Sequence, residues 1–233
     1  MSELPTPESL PLTRIQRLIG SYMLQSKRTK ANAYLAIRAD LTELTGMRKV
    51  YCKQVGVRAT TNDFFICAIA RAISAFPLMA ASLSPDHQTL QISSKTGVGF
   101  AVAAPQGLVV PVVQDVQHKS LKQLAVDSEE LLNKARANRL LPDDFDGANI
   151  VLTGLGMYGI ESFYAISPLS ALGIVSIGNI EDVVVPTETG FVTRKKMHVA
   201  LAFDQCVVDE FYAAGFLRHI IDALEDPWSL THG

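Results

Sequence analysis

The strongest constraint on this chain is the irregular order of its two hydrophobic periodicities. Stretches with helical spacing and stretches that alternate or run together as strands do not follow the βαβ rhythm that a doubly wound parallel sheet requires. Leu12, Ile15, Leu18, Ile19, Tyr22 and Met23 share helical spacing, and Thr13 with Gln16 makes a capping-box pattern, which predicts a helix over about 13–27. NAYLAIRAD (32–40) reads as a strand with Leu35, Ile37 and Ala39 on one face, and Asp40 with Glu43 supplies the next helix start. Thr60 and Asp63 open a third helix, which Pro77 ends. Short β runs come next at QISS (91–94), VGFAVAA (98–104) and LVVPVVQ (108–114), with Gly107 at a turn between the last two. Ser120 and Gln123 cap a helix running to about Asn138, and NIVLT (149–153), ALGIVSI (171–177) and HVALAFD (198–204) read as strands, with a hairpin around Gly190. A last helix covers about 209–224 and stops before Pro227. The expected class is α+β with a mixed sheet, without internal repeat or linker.

Composition narrows the partners. The chain has 233 residues, 48% hydrophobic and 19% charged, which excludes a disordered chain, and no window approaches 18 consecutive apolar residues. A net charge of −2 without a Lys/Arg cluster argues against nucleic acid or a membrane surface as partner. Cys52, Cys67 and Cys206 are too few and too scattered for a disulfide framework or a metal site, and their odd number suits a reducing compartment, the cytosol, with the mitochondrial matrix as the alternative. Residues 1–11 are polar, acidic and Pro-rich and are expected to form a flexible arm ahead of one domain, 12–233.

Three isolated signals favour structural readings. GLGMYG (154–159) fits the dinucleotide glycine pattern, but it lies late in the chain and Pro168 interrupts the segment after it, so a Gly-rich turn beside a sheet is the better reading. No two of His87, His118, His198, His219 and His232 stand at ligand spacing, so no metal is expected, and His198 reads as a hydrogen-bonded structural residue. Cys206 sits near Asp204 and Asp209, carboxylates that would suppress a thiolate.

Several longer blocks carry more. PLTRIQRLIGSYMLQSK (11–27), TTNDFFICAIARAISAFP (60–77), VGFAVAAPQGLVVPVVQDVQHKSL (98–121), ARANRLLPDDFDGANIVLTGLGMYGI (135–160) and ALAFDQCVVDEFYAAGFL (200–217) succeed one another in an order and spacing that resembles the catalytic domain of the dihydrolipoamide acyltransferases of 2-oxoacid dehydrogenase complexes. The resemblance implies the chloramphenicol acetyltransferase-like sandwich of a mixed β-sheet and helices, assembled as a homotrimer or a multiple of it, with acyl-CoA as co-substrate and the active channel between subunits. Family members generally carry lipoyl and subunit-binding domains ahead of this core, and nothing in these residues corresponds to either, so no bound lipoyl group is expected. The family's last block normally reads DHRxxDG, in which the histidine takes a proton from a thiol acceptor and the aspartate helps hold the loop. Here it reads Asp204, Gln205, Cys206, Val207, Val208, Asp209, Glu210. The resemblance thus puts Gln205 at the histidine position, retains Asp209, and puts Glu210 at the glycine position. Thr153 matches the Ser or Thr that donates a hydrogen bond to the oxyanion, and Gly154 stands where an Asn is often found.

The substitution has a chemical consequence. A carboxamide cannot accept a proton near neutral pH, so a general-base contribution of about 100- to 10,000-fold is expected to be lost. A thiol of ordinary pKa is roughly 3% thiolate at pH 7 and retains some reactivity beside an oxyanion donor. Glu210 is the candidate replacement base, because clustered carboxylates can raise one another's pKa. The chain then has two candidate functions: a free-standing CoA-dependent acyltransferase with altered base chemistry, acting on a small-molecule or carrier-bound acceptor, or a catalytically silent core subunit of a 2-oxoacid dehydrogenase-type complex.

Overall fold

The computed structural model describes residues 9–86, 88–105 and 107–232. Most of the expected arm, residues 1–8, lies outside them, as does His87. Thr13 caps helix α1 (Arg14–Thr29) with the full capping box to Gln16, and Ser120 does the same for α4 (Leu121–Arg136) with Gln123. The box at Thr60 opens α3 (Thr61–Ala75), where the Asp63 carboxylate accepts from both the backbone N–H and the hydroxyl of Thr60. Helix α2 (Thr42–Val55) begins after Leu41, with Asp40 outside the helix accepting from the Thr42 N–H and hydroxyl. It ends at Gly56, whose φ of 69° lies in the left-handed region that glycine occupies without a Cβ clash. Helix α5 (Glu210–Glu225) is capped by Asp209 through Tyr212 N–H.

The strands are β1 (Asn32–Asp40), β2 (Ala81–Leu83), β3 (Leu90–Ile92), β4 (Gly97–Phe100), β5 (Val102–Ala104), β6 (Gly107–Val109), β7 (Val112–Gln114), β8 (Ile150–Gly154), β9 (Gly173–Thr187) and β10 (Gly190–Asp204). Six of them form one mixed sheet in the order β1-β10-β9-β8-β4-β7, parallel at β4–β8–β9 and antiparallel elsewhere. Two expected strands are corrected. The 98–104 run breaks at Ala101 and the 108–114 run at Val110–Pro111, so that β4 and β7 stay in the main sheet while β5 and β6 peel away as a separate hairpin. Pro111 cannot donate to a ladder, and the sequence run alone does not show where a strand leaves its sheet. Gly107, expected in the turn, begins β6 with φ 119°. The strands near Gly190 are far longer than the runs 171–177 and 198–204, because β9 and β10 continue as a paired hairpin with largely exposed outer ends.

The core lies between one face of this sheet and α2, α3, α4 and α5. Helix α3 is buried along most of its length, and α5 turns Ala213, Phe216, Leu217, Ile220, Ile221 and Leu224 inward at helical spacing. A smaller cluster, Val112, Ala148, Val151, Ala171, Ile174 and Ala202, occupies the opposite face. Helix α1 behaves differently. Its apolar stripe is real, yet Ile15 is 55% and Leu18 60% exposed, and among its residues only Ser26 is buried. The helix is moored at its C-terminal end, where Ser26 donates to Ser167 O and Tyr22 accepts from Ser170 N–H.

Lys30, just past α1, donates to Ser167 Oγ and to the carbonyls of Pro168 and Ala171. Burial pushes its ammonium down to about 8, against the attraction of Asp204. Between pH 8 and the ordinary lysine value of 10.5 the folded chain has shed a proton that the unfolded chain still holds, so this group's contribution to stability rises with pH across that window. The melting temperature of the protein, measured against Lys30→Met from pH 7 to 10.5, is expected to gain on the variant above pH 8.

Candidate functional site

Thr153 sits near the C-terminal end of β8, half-buried, with Leu152 inward of it and Gly154 after it. Among the described residues its hydroxyl has no hydrogen-bond partner, which leaves it free to donate to a ligand. The next turn, Gly156–Tyr158, is three residues of 3₁₀ helix, so GLGMYG forms a tight turn, as its context suggested. Close backbone packing holds this turn in place: a Cβ on Gly156 would meet Gly178 O at 2.4 Å, and one on Gly178 would meet Glu161 O at 1.8 Å.

Beside this turn runs a groove of about 680 Å³, between the N-terminal end of α3, one face of α4, β5, the end of β8 and the middle of β9. Leu152 and Gly154, the two neighbours of Thr153, line it, and Arg58 and Arg136 add positive charge to its wall. Asp63, also on the wall, accepts from Ser128 on α4 as well as from its own helix cap, and so ties together the two helices that form one side. Burial raises the Asp63 carboxyl above its ordinary value, against the lowering pull of Ser128 and Thr60. Asn179 contributes a buried side-chain oxygen with no partner among the described residues.

The other candidates cluster at the opposite end of the sheet. Gln205 comes directly after β10, its N–H bonded to Ala31 O at 2.9 Å. Its side-chain Nε2 donates to Glu210 Oε1, and both side chains are exposed. Asp209 is spent on the α5 cap. Asp204, buried, accepts from the N–H groups of Ala31 and Cys206 and so shapes the loop from inside. His198 is engaged with Arg38 Nε at 3.2 Å and Glu161 at 3.2 Å, away from both ends, in keeping with its structural reading.

Thr153 and the 205–210 loop do not meet within one chain. The register places Thr153 opposite Ser176, and Ser176 opposite Ala200. Gln205 lies five residues further on and two strands across, which in extended geometry is on the order of 15–20 Å. The sequence identified Thr153, Gln205, Asp209 and Glu210 but not the groove. Asp63 was legible only as a cap, and Arg58, Arg136 and Asn179 carry no local motif. They converge only when α3, α4 and β9 are packed.

The mixed sheet backed by helices, with a groove beside a strand-to-glycine turn, is an acyltransferase-type architecture. Chloramphenicol acetyltransferase shares it with a TM-score of 0.53 over 88% of this chain and 94% of its own, at 12% identity, a likeness of fold alone. The chain belongs to the family of the 2-oxoacid dehydrogenases acyltransferase (catalytic domain), whose model matches residues 5–232. It is similar to the dihydrolipoyllysine-residue acetyltransferase component of the pyruvate dehydrogenase complex of Rickettsia felis, 30% identical over 94% of this chain and 53% of that protein. The chain therefore spans about half the length of the curated relatives it matches. Among solved structures, the Azotobacter vinelandii dihydrolipoamide acetyltransferase, investigated for the role of a serine, a histidine and an asparagine in its catalytic mechanism, superposes with a TM-score of 0.89 at 28% identity over 99% of both chains. The cubic core of the pyruvate dehydrogenase multienzyme complex does so with a TM-score of 0.89 at 29% identity, also over 99% of both chains.

Proposed function

We propose that this domain transfers an acyl group from coenzyme A to a small-molecule or carrier-bound acceptor, with Thr153 of one subunit and the 205–210 loop of the next forming each site. The observation that carries the reading is the groove lined by Leu152 and Gly154, the two chain neighbours of Thr153. The groove has a volume of about 680 Å³ and carries Arg58 and Arg136 for phosphate groups, and at its edge Thr153, whose side chain alternates with Leu152 and Gly154 to the other side of the strand, has a hydroxyl with no partner among the described residues. In this account the thioester carbonyl lies at Thr153, whose hydroxyl donates to the oxygen as it becomes negative. The acceptor enters from the loop side.

Spacing supports the assignment of roles. The serine, histidine and asparagine investigated in the Azotobacter enzyme are 52 and then 4 residues apart, and Thr153, Gln205 and Asp209 have the same spacing. Gln205 then occupies the histidine position, and the machinery is retained at the acyl end and altered at the acceptor end. Assembly is supported by the exposed apolar stripe of α1, which a second copy of the chain would cover, and by the separation of Thr153 from Gln205 within one chain. The particular assembly proposed is a trimer or a multiple of it.

The hydrogen bond that occupies Gln205 with Glu210 favours a second reading, a catalytically silent core subunit. Titration with a panel of acyl-CoAs by calorimetry, together with mass-resolved transfer assays, separates the two. Binding and transfer are expected. A chain that binds no acyl-CoA is a core subunit without this activity.

A further inference from the structure

We infer that the Gln205–Glu210 pair selects a primary aliphatic amine, rather than a thiol, as acyl acceptor. This rests on the acyltransferase reading and specifies the other half of its reaction. Glu210 is exposed in the first turn of α5 and receives one N–H of the Gln205 carboxamide, which leaves its remaining lone pairs open. Among the described residues neither Glu210 nor Asp209 is in an ion pair with a Lys, Arg or His. The acceptor end thus presents negative charge that no described residue of its own chain neutralises through an ion pair.

That charge discriminates between nucleophiles. A thiol reacts as its thiolate, and a neighbouring carboxylate disfavours the thiolate. The residue that would draw the thiol proton is a carboxamide here, so both differences act against thiols. An alkylammonium ion meets the opposite situation. Its positive charge is attracted, and its N–H donors match the oxygens of Glu210 and Gln205.

The reaction balances without an additional reagent. The bound ammonium loses one proton to water, and its nitrogen lone pair attacks the thioester carbonyl carbon. As the C–N bond forms, the carbonyl π pair moves onto oxygen, which accepts from Thr153 of the neighbouring subunit. Glu210 takes the proton from the attached nitrogen. The carbonyl then re-forms as the C–S bond breaks, and coenzyme A leaves as a thiolate that receives this proton. The products are an amide and free coenzyme A.

Three matched probes test it: n-butylamine, n-butanethiol and n-butanol, each offered with acetyl-CoA to the full protein, with products resolved by mass. The expected main product is N-butylacetamide, favoured at least about tenfold over the thioester. Glu210→Gln is expected to lower amine transfer at least about tenfold at unchanged affinity for acetyl-CoA. Gln205→His combined with Glu210→Gly is expected to reverse the preference toward the thiol, which a merely structural role for the pair would not do. Thioester as the main product of the unaltered protein, no transfer to any probe, or amide formation indifferent to Glu210→Gln would each overturn the inference. Calorimetry on acetyl-CoA separates the two levels: lost binding removes the acyltransferase reading itself, whereas binding with transfer to the thiol removes only the amine.

Discussion

Thr153→Ala is expected to lower acyl transfer by about 100-fold while leaving acyl-CoA binding within about twofold, because it removes a donor aimed at charge that exists only in the transition state. The structure makes this an unusually clean substitution. The hydroxyl bonds to nothing among the described residues, so its removal strands no buried partner there, and Thr153 is only half-buried, so little packing is lost. The melting temperature should therefore hold while turnover falls. Stopped assays of free coenzyme A release, run beside calorimetric binding, would check both halves. An equal loss in affinity and rate would place the hydroxyl on the ground state instead.

Gly178→Ala is expected to act in the opposite way, through stability. The added methyl would lie 1.8 Å from Glu161 O, 2.6 Å from its carbonyl carbon and 3.0 Å from Ile160 O, all of them backbone atoms. No rotamer relieves such a clash. The segment at 160–161 must move, breaking the bond from Asn179 N–H to Ile160 O at 2.9 Å and loosening the Gly156 turn packed on Gly178 O. The expected cost is about 3 kcal/mol or more, which for a chain of this length lowers the melting temperature by on the order of 6–12 °C. Gly46→Ala provides the contrast. It lies in α2 with nothing within 4 Å of the new methyl, and is expected to stabilise by about 0.5–1 kcal/mol. Thermal denaturation of the two variants side by side checks the sign of each.

The sequence was legible where local chemistry decides the structure. Thr13, Thr60 and Ser120 each announce a helix start, and each makes the hydrogen bonds its spacing implies. It was less legible where tertiary pairing decides. The run 98–104 is uniformly apolar, yet Ala101 turns its N–H to Leu152 O and divides the run into strands of two different sheets. The outer halves of β9 and β10 mix charged residues with Val183, Val184, Val185, Phe191 and Val192, and their largely exposed hairpin is held by its backbone ladder, so neither alternation nor an apolar run marks its length. The site divides in the same way. Thr153, Gln205, Asp209 and Glu210 came from motif positions. The Gln205–Glu210 hydrogen bond, and the groove that Asp63 braces through Ser128, depend on side-chain placement that spacing cannot supply. The stripe on α1 was read correctly as a helix, but nothing in its periodicity says that its apolar face belongs to the surface of the isolated chain.

That face and the separation of Thr153 from Gln205 lead to the central claim, that each site is completed by two chains. Subunit mixing tests it most directly. Thr153→Ala removes the proposed oxyanion donor, and Gln205→Arg sets a long cationic side chain across the acceptor end, so each variant alone is expected to keep about 1% of the activity or less. Co-expressed with separable tags and isolated as mixed oligomers whose mass is measured by light scattering, they should recover activity, up to about a third of the unaltered level for a trimer, since one of the three interfaces in a mixed ring would pair an intact Thr153 with an intact loop. Mixed oligomers no more active than the separate variants, or full activity from a monomer of the unaltered protein, would contradict the shared site.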